Sequence, residues 1–170
     1  MASLIDNLIE TLIKENDEYE TLLELSMEKT GVIVKADHDG LNEIVMKEQK
    51  VVERINALEK TRAEVTKDIG IVLNRKVSEL TLPKLVEMLA NQPRECSMLK
   101  EVHDRLKDTL TRMVQVNESN KALLNESLEM LQFEMNLLQS MKQAPATTNY
   151  SGNNYADASF GGATAFDAKQ

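Results

Sequence analysis

From Pro93 to Gln143 the chain reads PRECSMLKEVHDRLKDTLTRMVQVNESNKALLNESLEMLQFEMNLLQSMKQ. Leu99, Val102, Leu106, Leu110, Met113, Leu124, Leu128, Leu131, Met135 and Leu138 keep a helical period along it. Steps of three and four residues place side chains on one stripe of an α-helix. After Pro93 no Gly or Pro interrupts the run. Unbroken, this helix is roughly 75 Å long, more than a globular core requires. Asn117 and Asn120 fall on the same stripe. An Asn in an apolar seam costs stability and fixes register, and it can equally hydrogen-bond a docked helix. Both readings stay open for this pair. From Leu123 to Leu138 the helix is apolar over more of its circumference than one partner helix covers. Met130, Met135 and Met141 accompany Phe133 there. Methionine adapts to different surfaces, so this half reads as a face for another protein's amphipathic helix. The expected contact residues are Asn117, Asn120, Leu123, Leu124, Leu128, Leu131, Phe133, Met135, Leu138 and Met141.

Working back from that helix, residues 2 to about 36 predict another. Ile5, Leu8, Leu12, Tyr19, Leu22, Leu23, Ser26 and Ile33 form its stripe, with Asn16 among them. Ser3 is the expected N-cap, with Asp6 three residues on. The break at 35–40 contains Asp37, placed to cap the next helix, and Asp39 in its first turn. That helix carries Leu41, Ile44, Val45, Val51, Val52, Ile55, Leu58, Val65, Ile69 and Val72. Glu48 and Arg62 share its stripe. They stand too far apart to pair, so each needs a partner elsewhere or an exposed edge. A tight connection between two long helices predicts an antiparallel hairpin. Thr81 and Pro83 then start a short helix ending near Ala90. The expected fold is all-α: a long antiparallel hairpin, a short connecting helix and a long third helix in a coiled-coil-like bundle over 1–143. From Ala144 to Gln170 the composition shifts to Ala, Gly, Ser, Thr and Asn, with Tyr150, Tyr155, Phe160 and Phe166 at wide intervals. This reads as a separate flexible tail, disordered alone.

Composition narrows the function. The net charge is −8, and no basic run exceeds the pair Arg75-Lys76, which argues against nucleic acid. No apolar span is long enough for membrane insertion. The start, MASLID, lacks a basic n-region and an apolar core, so no secretory signal is expected. Cys96 is the single cysteine, which suits a reducing cytoplasm. Trp is absent, and four of the six Phe and Tyr residues lie in the last 21 positions. The body therefore relies on aliphatic residues and Met, as thin helix-on-helix packing does. Catalytic patterns are missing. His103 lies on a predicted helix, as a phosphotransfer histidine would, but no Gly follows it to give access. Neither histidine has a Glu three residues before it, as a di-metal carboxylate bundle requires. No cofactor, metal or enzymatic role is expected.

Several pieces together resemble a known family. They are Glu15, Tyr19 and Leu22-Leu23-Glu24-Leu25, then Val34-Lys35-Ala36-Asp37 leading into Leu41-Asn42-Glu43-Ile44-Val45-Met46-Lys47-Glu48-Gln49. Leu58-Glu59-Lys60-Thr61-Arg62, Leu80-Thr81-Leu82 and Asn117-Glu118-Ser119-Asn120-Lys121-Ala122-Leu123-Leu124 with Ser127-Leu128 complete the pattern. In order and spacing, over about residues 4–142, they resemble FlgN, the flagellar export chaperone. The resemblance implies a small, acidic, cytosolic helical protein. It would bind the hook-associated proteins FlgK and FlgL, hold them unassembled and deliver them to the flagellar type III export gate. It also implies a cargo region toward the C-terminal part of the long helix. The alternative is a structural coiled coil that self-associates through that helix end and has no client.

Overall fold

The computed structural model describes residues 2–143. The expected tail, Ala144–Gln170 with its four aromatics, lies outside the described residues. Among the described residues there are four α-helices: α1 Ala2–Val34, α2 His38–Leu73, α3 Leu82–Met88 and α4 Pro93–Gln143. A single 3-10 turn, Val77–Glu79, precedes α3, so the connection has two short pieces where the sequence suggested one. Two units divide the described residues between Phe133 and Glu134. The first holds the whole bundle, and the second begins with the last turns of α4.

α1 and α2 run antiparallel, and their polar contacts show it. Arg62 donates to Glu15 at 3.0 Å, Tyr19 to Glu59 at 3.0 Å, and Lys29 pairs with Glu48 at 2.6 Å. As residue numbers rise on α1 they fall on α2. The two lone charges on the α2 stripe are thus answered from α1: Arg62 by Glu15, Glu48 by Lys29. α4 runs parallel to α1, because Asn16 meets Thr109 and Ser26 meets Asn120, 93 and 94 residues apart.

The main core lies where all the elements meet. Ile5, Leu8, Ile9 and Leu12 of α1 pack with Ile69 of α2, with Leu80, Leu85 and Leu89, and with Leu99, Val102 and Leu106 of α4. Burying side chains of this size contributes roughly 2 kcal/mol each. Farther up the hairpin, Leu23, Ile33, Ile44, Val51 and Ile55 are buried. Val45, Val52 and Val72, expected on the α2 stripe, sit at its edge and are exposed. Their stripe faces α1 along a narrow line, so the next valine round the helix stays in water.

Asp37 caps α2 as expected, accepting from the Gly40 amide at 3.0 Å, with Asp39 in the first turn. Ser3 is not the N-cap of α1. The helix already includes Ala2, which puts Ser3 inside the first turn. α1 stops two residues earlier than expected, because Ala36 turns left-handed with φ 53°. Thr81 flanks α3 with extended backbone, but its hydroxyl makes no capping bond.

The end of α2 is closed by backbone geometry. Asn74 is left-handed, φ 52°, and the Arg75 amide donates to the Gly70 carbonyl at 2.9 Å. A β-carbon at Gly70 would stand 3.0 Å from the Arg75 carbonyl oxygen and 3.3 Å from Leu80 Cδ1. A β-carbon at Gly31 would meet nothing within 4 Å. Helix propensity alone favours Ala over Gly by about 1 kcal/mol at either place. Gly31→Ala is therefore expected to raise the urea midpoint. Gly70→Ala is expected to lower it, since crowding against backbone costs about 1–3 kcal/mol and outweighs the propensity gain.

Candidate functional site

α4 changes its surroundings along its length. Leu99, Val102 and Leu106 are buried against the core, and Leu110 and Met113 are half-buried. Next the α1 contact turns polar. Thr109 donates to Asn16 Oδ1 at 3.2 Å, and Asn16 in turn donates to Glu20 at 3.0 Å. One step farther, Asn120 is 4% exposed. Its amide nitrogen donates to the Ser26 carbonyl at 2.7 Å, and its oxygen accepts from the Thr30 hydroxyl.

The structure thus separates the two asparagines. Asn120 belongs to the seam with α1, its amide engaged on both sides. Asn120 also borders the groove that holds Asn117. Asn117 is exposed. It lines a groove of about 400 Å3 where α1, α2 and α4 meet, together with Leu22, Val52, Leu124 and the Lys29–Glu48 pair. Asn120→Ala is expected to cost about 1–2 kcal/mol in urea unfolding, because it removes the amide's bonds to the Ser26 carbonyl and the Thr30 hydroxyl. Asn117→Ala is expected to change stability by less than about 0.5 kcal/mol.

Two turns past Asn120, α4 outruns α1. The 94-residue offset at Ser26 puts Val34, the last residue of α1, level with about Leu128. Leu123 and Leu124 are half-buried. Leu128, Leu131 and Phe133 in the first unit are exposed, and so are Met135, Leu138 and Met141 in the second. Their exposure ranges from 45% at Leu131 to 67% at Phe133. Met130 and Leu137 are equally exposed and stand outside the expected contact residues. They flank the stripe, and the breadth of apolar character over 123–138 is the signal for them. Glu126, Glu129 and Glu134 interleave with these side chains, and all are exposed. In the first unit the exposed stretch is therefore aliphatic with Glu126 and Glu129 at its margin, and in the second Glu134 adjoins Met135.

Elsewhere the hairpin holds a buried carboxylate that periodicity does not reveal. Glu15 is fully buried, with one oxygen on Arg62 and Oε1 without a partner. Burial pushes its carboxyl above the ordinary value; Arg62 pulls it down, and Glu59 adds to the rise. Burial also lifts the Tyr19 phenol, to about 12, reinforced by its bond to Glu59. His103 is half-exposed beside Asp104, at 3.4 Å. Among the described residues no helix is long and apolar enough to cross a membrane.

Among the described residues, helices throughout, a hairpin tied by charged groups, and a third helix joined to it by amide bonds and bearing exposed apolar side chains define an all-α bundle. Residues 1–156 match the family model described as FlgN protein, and the chain belongs to the FlgN family. This is a family of flagellar export chaperones rather than of enzymes. The chain is similar to the uncharacterized protein YvyG of Bacillus subtilis (strain 168), at 27% identity over 121 residues, 71% of each chain. No solved structure matches it.

Proposed function

We propose that this chain binds the hook-associated proteins FlgK and FlgL in the cytoplasm, keeps them from assembling early and passes them to the flagellar type III export gate. The observation that carries this is the exposed stripe of α4: Leu128, Leu131, Phe133, Met135, Leu138 and Met141. Leu123, Leu124 and Asn117 lie at its inner end. A helix bearing such a stripe has its affinity in apolar area, at about 25 cal/mol per Å2. Ordering a client segment removes much of that gain and leaves a complex that a secretion apparatus can take apart. The acidic margin favours a client helix with basic flanks and adds to association rate more than to affinity.

The test is to mix purified chain with purified FlgK and, separately, FlgL from the same organism, using size-exclusion chromatography with light scattering. A stoichiometric complex with either is the expected result. A chain that elutes alone as a tight oligomer, ignoring both, would replace this reading with self-association through the same stripe.

A further inference from the structure

A second patch on the bundle differs in kind from the α4 face. The chain carries −8 overall, yet from Lys67 to Lys84 four cations stand against two acids. Lys67, Arg75 and Lys76 line one concave surface of about 650 Å3 at the end of α2. Among the described residues none of the three takes part in an ion pair, although Glu and Asp outnumber Lys and Arg in the chain. The same surface includes Ile71, 69% exposed, and Val77, also exposed. The turn that presents them is fixed by the Gly70–Arg75 backbone bond and the left-handed Asn74.

The α2 dipole accounts for part of this. Its C-terminal end is negative and has no base in its last turn, so Arg75 or Lys76 just beyond is well placed. That explains neither Lys67, two turns back, nor two bare aliphatic side chains between the cations. Lys67 and Ile71 are four residues apart and lie on one face of α2.

We propose that this surface docks an acidic amphipathic helix of another protein. Its carboxylates would pair with Lys67 and with Arg75 and Lys76, and an aliphatic side chain between them would cover Ile71 and Val77. Charge complementarity selects the occupant. A nucleic acid offers the charge but nothing for the aliphatic pair, and the net charge of the chain repels it. The surface is independent of the α4 stripe, and so is its test.

The probe is a fluorescein-labelled helical peptide with Glu at i and i+4 around a Leu, used with the full chain and read by anisotropy and by amide chemical shifts. Binding is expected, with shifts concentrated at 67–77. The triple variant Lys67→Glu/Arg75→Glu/Lys76→Glu should weaken it by at least about tenfold, and so should raising salt from about 50 to about 300 mM. Ile71→Ser should weaken it by about threefold or more. All four side chains are exposed, and helicity is checked by circular dichroism. Should the triple variant misfold, Lys67→Gln/Lys76→Gln gives the same comparison. No binding, undiminished binding to the charge-reversed chain, equal binding of a Lys-for-Glu peptide, or a single-stranded oligonucleotide binding as tightly as the acidic peptide would each overturn the proposal.

Discussion

Leu128→Asp/Leu131→Asp is expected to weaken client binding by roughly 100-fold or more while lowering stability by no more than about 1 kcal/mol. Both halves follow from exposure. Leu128 and Leu131 contribute little to the folded bundle, because both remain largely in water. An Asp there costs only the small difference in helix propensity, a few tenths of a kcal/mol per site. In a complex each would instead place a carboxylate in an apolar contact, and losing about 3 kcal/mol at the centre of an interface corresponds to about 100-fold. Val102, on the same helix, is buried in the core, so Val102→Asp is the control that should unfold the bundle. Titration of the double variant against FlgK and FlgL, beside a thermal melt, decides the matter. A melt lowered as far as that of the control would show the stripe to be core and the site assignment to be wrong.

Arg62→Met is expected to destabilise the hairpin by about 3 kcal/mol at neutral pH. It leaves the Glu15 carboxylate buried with no cation, and breaking a buried pair on one side is the costly way to break it. The guanidinium is 36% exposed, so water reaches the gap and holds the cost toward the lower end of that class. The pH dependence has a definite sign. Burial raises the Glu15 carboxyl above its ordinary 4.5. Below that value folded and unfolded chains both hold the proton, and the residue is neutral in its effect. As pH rises past it the unfolded chain ionises freely and the folded chain resists, so this group reduces stability toward neutral pH. Glu15→Gln should accordingly be more stable than the parent at pH 7, with the gain shrinking toward pH 4. Arg62→Met should show the opposite trend, losing more as pH rises. Urea unfolding at several pH values reads both. A Glu15→Gln chain less stable at pH 7 would mean that the Arg62 bridge outweighs the burial.

Most of the architecture is legible in the sequence because its cause is periodic. Hairpin, short connection and long helix follow from apolar spacing, and the break follows from Asp37. Even the lone charges are informative: Glu48 and Arg62 cannot serve each other, and each finds an opposite charge on α1. Glu15 is illegible for the same reason. A carboxylate beside an apolar stripe is ordinarily solvated, and only the neighbouring helix makes it buried. Asn117 and Asn120 differ by less than one turn, so their fates depend on which side α1 occupies, which helical period does not encode. The apolar residues proposed as contacts on α4 stand out as an excess of apolar surface, and the exposure of those from Leu128 on is what a third helix longer than its hairpin produces. Met130 and Leu137 lie beside the single line that periodicity picks out, which is why it passes over them.

Thr109 and Asn120, the two positions where α4 meets α1 through amide and hydroxyl groups, are eleven residues apart. Eleven residues close three helical turns almost evenly, so both stand on one line along α4 and little superhelical winding builds up between them. Eleven residues farther along that line comes Leu131. The side of α4 turned to α1 and the side left bare are therefore one continuous track, amide-lined below and aliphatic above. A client helix laid on Leu131 would follow α1 along the same track and cover the part of α4 that α1 is too short to reach.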